Sequence, residues 1–227
     1  MKPLCILDLD GTLLDCSRRH YQCYHDIVTE LGRRPWSYSD YWRMKREARP
    51  TSRILDNSDH ALLKAYNHRW LESIESPEML RLDQPFPGVV DKLREWKGQG
   101  LLVLATMRRQ RGVLREQLAS LEMLGLFDQL IVVHGRDKAA STRDKLAFNY
   151  ISLTWIGDTE IDRQAGLAMG ARVCLVSNGI RDAKYLRMLG SDKRVAVYPD
   201  LTAIDPFGTP WEDGEPPEPT LMQYGLA

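Results

Sequence analysis

Apolar residues in this chain come in short unbroken runs rather than in alternation. Leu4-Cys5-Ile6-Leu7 is the first. Leu101 to Ala105, Leu130 to Val133, Leu153 to Ile156 and Arg172 to Val176 repeat the pattern. Runs of this length predict strands buried on both faces of a parallel sheet. Between them, apolar positions recur at helical spacing. Gly112 to Met123 carries Val113, Leu114, Leu118 and Leu121, and Ser141 to Tyr150 and Glu160 to Met169 are shorter helical candidates. Strands alternating with helices at this pitch predict βαβ units. Right-handed crossovers stack such units into a Rossmann-like α/β fold with a parallel sheet.

The first gap breaks this rhythm. Asp10 and Leu101 lie too far apart for one crossover helix, and the chain between them reads as helical. Cys16 to Leu31 is stopped by Gly32, and Tyr38 to Ala48 ends near Pro50. A third helix starts at Ser58 as N-cap and runs to about Glu75, before Pro77. Pro85-Phe86-Pro87-Gly88 marks the return, and Val89 to Lys97 follows, closed by Gly98 and Gly100. Residues 1–15 and 84–197 are therefore read as a Rossmann-like core. Residues 16–83 are read as a helical insertion over the carboxyl end of the sheet; the plainer alternative is an extra helical layer. Residues 198–227, rich in Pro, Gly and acid, read as an extended tail without catalytic residues.

Composition narrows the classes. Lys+Arg and Asp+Glu both number 31, so bulk charge gives no support for nucleic-acid or membrane partners. No apolar run approaches the ~20 residues of a bilayer span, and no signal-peptide pattern precedes the first strand. The four cysteines show neither metal spacing nor a disulfide framework. A reducing cytoplasm is the expected setting.

Candidate chemistry sits where the apolar runs end. The first run leads into Asp8-Leu9-Asp10-Gly11-Thr12, two acids spaced i and i+2 before a turn. Ligand sites of open α/β sheets lie beyond the carboxyl ends of strands. A D-x-D-G-[ST] stretch arises by chance roughly once per 10^5 windows at average usage. The second run ends in Thr106. The third leads through His134-Gly135-Arg136-Asp137 to Lys138, and the fourth into Gly157-Asp158-Thr159-Glu160-Ile161-Asp162. Each polar residue alone has a plain structural use, such as capping a helix, but their joint placement at strand ends suits phosphoryl transfer. Hard oxygen ligands favour Mg²⁺. A carboxylate can act as nucleophile, and a second acid can protonate the leaving group and later activate water. A hydroxyl and an ammonium can hold the phosphoryl oxygens.

These stretches resemble the motifs of the haloacid dehalogenase-like superfamily in its phosphatase form, over Met1 to about Leu189. The resemblance implies that Asp8 is the nucleophile and a magnesium ligand. It makes Asp10 the general acid/base, with its backbone carbonyl on the metal. Thr106 becomes the phosphate-binding hydroxyl, Lys138 the lysine bridging phosphate and nucleophile, Asp158 a direct metal ligand and Asp162 an indirect one. Lys145 competes with Lys138, but lies so near Asp158 that a helix, a turn and a strand hardly fit between them. Met107-Arg108 departs from the small or polar residue usual after the threonine, and Arg108 reads as a solvated loop arginine or a substrate contact. Asp10 speaks against the dehalogenating branch, which lacks an acid there.

In related enzymes a helical insertion here is a mobile cap. This one carries Arg43, Lys45, Arg46, Arg49 and Arg53. They read as a solvated basic face or as a trap for a second anionic group of the substrate. The layout resembles phosphoglycolate phosphatase-like members. The expected activity is Mg²⁺-dependent hydrolysis of a small phosphorylated metabolite through an aspartyl-phosphate. A phosphomutase and a catalytically silent binding module are the alternatives.

Overall fold

The computed structural model describes residues 1–56, 59–135 and 137–208. The chain opens with β1 (Lys2–Leu7) and a two-residue strand β2 (Leu14–Asp15). Five helices follow: α1 (Ser17–Glu30), α2 (Tyr38–Arg46), α3 (Thr51–Ile54), α4 (His60–Ser73) and α5 (Pro77–Leu80). The chain returns through β3 (Gln84–Pro85), which pairs antiparallel with β2, so the two crossings lie side by side. Helices and strands then alternate: α6 (Val89–Lys97), β4 (Leu101–Thr106), α7 (Arg111–Ser120), β5 (Gln129–Val132), α8 (Lys138–Lys145), β6 (Tyr150–Gly157), α9 (Glu160–Ala168), β7 (Arg172–Val176), α10 (Ala183–Met188) and β8 (Val195–Tyr198). Six strands form one parallel sheet in the order β5-β4-β1-β6-β7-β8. The α/β fold class expected from the apolar runs is the one observed.

The unbroken runs are buried on both sides, and alternate residues serve opposite layers. Cys5, Leu7, Leu102 and Leu104 pack with Leu93 and Trp96 of α6 and Leu114 and Leu118 of α7. Leu4, Ile6, Val103 and Ala105 pack on the other face with Trp155 of β6, Ala139 of α8 and Ala165 of α9. The region between β2 and β3 has its own apolar cluster, built on Cys23, Tyr24, Ile27, Tyr41, Ile54, Tyr66 and Ile74. Among the described residues no helix is long and apolar enough to cross a membrane.

Several boundaries differ from expectation for physical reasons. The helix expected over Ser141 to Tyr150 starts at Lys138, because Asp137 accepts a hydrogen bond from Ala140 N at 2.9 Å and caps it. Tyr150 belongs instead to β6, whose first turnward residues are exposed on the outside yet pair with β1 through Lys2 and Tyr150. The tail expected from residue 198 begins later. Tyr198 ends β8, and Leu201 and Ile204 are buried in the core. A four-residue strand among polar neighbours leaves too short a hydrophobic trace to be recognised. Asp59 caps α4 by accepting from Leu62 N. The cap expected at Ser58, and residues 209–227 of the tail, lie outside the described residues.

Candidate active site

Strand register brings the polar residues together. Leu7 of β1 lies opposite Leu104 of β4 and Ile156 of β6. Asp8 follows Leu7 and donates its backbone N–H to Ile156 O at 2.9 Å. Thr106, the last residue of β4, and Asp158, just past β6, thus stand at the carboxyl ends of the two strands flanking Asp8. Lys138 enters from the first turn of α8, and Asp162 from the first turn of α9. All five are buried.

Lys138 is the hinge of an ionic chain. Its Nζ donates to Asp8 Oδ1 at 2.5 Å and to Asp162 Oδ1 at 2.8 Å. Asp162 is held further by Thr159 Oγ1 at 2.6 Å. Asp158 accepts from Ile180 N at 2.6 Å. Oxygens of Asp8, Asp158 and Asp162 all lie within 4.8 Å of one another. Burial pushes the Asp8 carboxyl up to about 7 against the pull of Lys138, with Asp162 adding to the rise. Burial likewise pushes Asp158 well up, helped by Asp162 and Asp8. Asp162 goes the other way, because Lys138 outweighs its burial. Three buried acids therefore share one ammonium. That shortage of positive charge, with an all-oxygen donor set, fits a hard divalent cation.

The backbone is shaped around these acids. Gly11 has φ +83°, and a Cβ there would lie 2.0 Å from Asp158 Oδ2. A Cβ on Gly179 would lie 2.0 Å from Gly11 O. Only glycine permits both approaches.

Asp10 does not join the other acids through its side chain. Arg108 grips it in bidentate fashion, Nε to Oδ2 at 2.6 Å and Nη2 to Oδ1 at 2.7 Å. Arg19 of α1 adds Nη2 to Oδ1 at 2.5 Å. Both guanidiniums also hold Asp83, at 2.8 Å from Arg19 and 3.0 Å from Arg108, and Gln117 Nε2 donates to the same acid at 2.9 Å. Burial would raise the Asp10 carboxyl, but Arg108 and Arg19 together outweigh it and hold it well below the usual carboxylate range. Arg108 is only 4% exposed, which corrects its reading as a solvated loop arginine. Arg19 and Asp83 were missed by sequence reasoning. The visible signal was an arginine in the first turn of the helix that follows Asp10 and an acid just before the return at Gln84.

The remaining candidates separate cleanly. Lys145 Nζ donates to Val132 O at 2.6 Å and takes no part in the acidic group. Arg43 is exposed and pairs with Asp40 at 3.0 Å, and Arg49 with Glu47 at 3.1 Å. Arg53 is exposed. These three fit the solvated basic face. Arg46 instead reaches the sheet region, donating to Ser177 O at 2.6 Å. Lys45 sits over the Trp70 ring, 5.9 Å from its centroid.

The model of a family described as haloacid dehalogenase-like hydrolase matches residues 5–176. A phosphoglycolate phosphatase of Cupriavidus necator is 25% identical over 223 residues, covering 90% of this chain and 92% of its own. A phosphoglycolate phosphatase of Cereibacter sphaeroides is 23% identical over 195 residues, covering 80% and 88%. A solved haloacid dehalogenase-like family hydrolase from Streptococcus pneumoniae shares the fold with TM-score 0.70 at 18% identity, covering 87% of this chain and 94% of its own. With the strand-end acids in the arrangement described and three quarters of its length matched by the family model, the chain belongs to the haloacid dehalogenase-like hydrolases.

Proposed function

We propose that this hydrolase is a Mg²⁺-dependent phosphatase that cleaves a small phosphorylated metabolite, of phosphoglycolate type, through an aspartyl-phosphate on Asp8. The observation that carries this reading is the buried Asp8–Lys138–Asp162 chain with Asp158 beside it. The names of the Cupriavidus and Cereibacter relatives support the substrate type.

One carboxylate oxygen of Asp8 would attack phosphorus and the other would hold the cation, since a carboxylate has two oxygens for the two tasks. Asp8, Asp158 and Asp162 would hold the cation, together with the Asp10 carbonyl. Bound Mg²⁺ supplies charge neutralisation at the phosphoryl oxygens, which otherwise repel an anionic nucleophile. Lys138 steadies Asp8 and offers its ammonium to the same oxygens. Thr106 adds a hydroxyl donor at the end of the neighbouring strand. Asp10 is held as a carboxylate by Arg108 and Arg19, the form that activates water for the second step. Its acid role in the first step requires those guanidiniums to loosen their grip. Residues 16–83 serve as a cap that excludes water. The ties of Arg46 to Ser177 O, and of Arg109 N to Glu75 Oε2 at 3.0 Å, support that role. Four buried free cysteines suit a reducing cytoplasm.

Phosphate release from 2-phosphoglycolate should require Mg²⁺ and stop with a chelator. The cation should also change stability in a pH-dependent way. Asp8 has a folded pKa raised to about 7 from 3.8, so the metal-free fold binds the extra proton. That contribution is fully present below the unfolded pKa and is lost as pH rises through the folded value. The metal-free protein should therefore weaken between about pH 4 and 8. Mg²⁺, which needs the ionised acids, should raise the melting temperature more at pH 8 than at pH 5. Chelator-insensitive turnover, or an equal Mg²⁺ effect at both pH values, would count against the proposed site.

A further inference from the structure

The helical region holds a cavity of about 160 Å³ that shares no lining residue with the acidic centre. Tyr24 and Val28 of α1, Ile54 of α3 and Leu62 of α4 form its apolar wall. That wall is tied in place. Trp36 N donates to the Tyr24 hydroxyl at 3.0 Å, and Trp36 Nε1 donates to Ile54 O at 2.9 Å. The Tyr24 ring stacks on Tyr41 with centroids 4.3 Å apart. Packed interiors hold few voids larger than a water molecule, and an apolar void of about 150 Å³ accepts benzene. This cavity therefore has room for the apolar group of a small ligand.

Its polar lining is unspent. Arg33, Arg34 and Asp56 line the same cavity, exposed at its mouth. Among the described residues their side chains form no ion pair or hydrogen bond, with one another or with any other group. Other exposed arginines of the helical region do pair, Arg43 with Asp40, Arg49 with Glu47 and Arg69 with Glu30. Tyr24 is only 1% exposed. Its oxygen accepts from Trp36, but among the described residues its own proton has no acceptor. A buried donor without an acceptor costs stability, so this one has a bond to offer a ligand. Burial pushes the Tyr24 phenol up and the Asp56 carboxylate adds to the rise, which puts that acid near the hydroxyl.

We propose that this cavity binds a free α-amino acid with an apolar side chain, such as leucine or phenylalanine. The side chain fills the void between α1, α3 and α4. The carboxylate meets the Arg33 and Arg34 guanidiniums and the Tyr24 hydroxyl, and the ammonium meets Asp56. Unpaired charges of both signs around one apolar void match a zwitterion. A plain carboxylic acid would set an anion beside Asp56, and a plain amine would set a cation beside two guanidiniums. The proposal is independent of the phosphatase reading, and either can fail without the other.

Isothermal titration calorimetry on the full chain tests it. Leucine and phenylalanine should each bind saturably at one site, with Kd between about 10 μM and 1 mM. Alanine leaves the void empty and should bind at least about 20-fold more weakly. Hydrocinnamate is phenylalanine without its ammonium, and phenethylamine is phenylalanine without its carboxylate. Each should bind at least about tenfold more weakly than phenylalanine. Asp56 has φ +56°, a conformation that Asn also tolerates, so Asp56→Asn should keep the fold and erase the advantage over hydrocinnamate. Arg33→Ala combined with Arg34→Ala should erase the advantage over phenethylamine. Val28→Phe fills the void and should abolish binding in a protein that still melts cooperatively; should it not fold, the two exposed-site variants decide. No saturable heat with either amino acid up to about 20 mM would overturn the proposal. So would hydrocinnamate binding as tightly as phenylalanine, or undiminished phenylalanine binding in the double arginine variant.

Discussion

Asp8→Asn is expected to lower phosphate release by roughly 10^4-fold or more, the scale seen when a covalent nucleophile is removed. The amide keeps the shape of the carboxylate but cannot attack phosphorus or share a cation as an anion does. The loss should not come from unfolding. Asp8 shares its burial with Asp158 and Asp162, and Lys138 keeps Asp162 at 2.8 Å when Asp8 is neutralised. Removing one of three crowded acids relieves repulsion in the metal-free fold, so the melting temperature should hold or rise. Steady-state kinetics beside a thermal melt separates the two effects. A variant that keeps activity within about tenfold of the parent would rule out Asp8 as nucleophile.

Arg108→Leu should carry the largest cost in stability. The guanidinium serves two acids at once, Asp10 at 2.6 Å and Asp83 at 3.0 Å, and its side chain is 4% exposed. Without it, Asp10 and Asp83 share Arg19 alone, and one buried carboxylate is left without a counter-charge. Breaking a buried pair from one side costs about 3–5 kcal/mol. The pH dependence identifies the cause. Asp10 is held below its ordinary range, so its contribution is present above the unfolded pKa and is lost as pH falls through the lower folded value. The gap in unfolding free energy between parent and variant should be wide near pH 7 and narrow below about pH 4, where the freed carboxylates are protonated. Denaturant melts at the two pH values measure it. A gap that stays constant would assign the loss to packing rather than charge.

The sequence made half of this site legible and hid the other half, for a physical reason. Asp8, Thr106, Lys138 and Asp158 each follow an apolar run, so the strand that buries them also announces them. Their meeting needs only parallel strands in register. Arg19, Asp83 and Arg108 have no such marker. Each sits among other charged or polar residues, and a buried arginine has the same letter as a solvated one. Their burial comes from contacts distant in sequence, Arg108 with Asp10 and Arg19 with Asp83, which periodicity does not encode. Lys45 was in view only as one of five cap cations. Its place over the Trp70 ring is what sets it apart. Short elements escaped similarly: α3, α5 and β8 are too brief to show a period.

Covalent capture of the phosphoryl group on Asp8 is open to direct measurement. The parent enzyme is mixed with excess 2-phosphoglycolate and Mg²⁺, quenched in acid within milliseconds and treated with borohydride, which reduces an acyl phosphate to an alcohol. Peptide mass spectrometry then reads the residue at position 8. Conversion of Asp8 to homoserine, absent without substrate, is the predicted result. An unmodified Asp8 under conditions of rapid turnover, or the label on another acid, would contradict the aspartyl-phosphate mechanism.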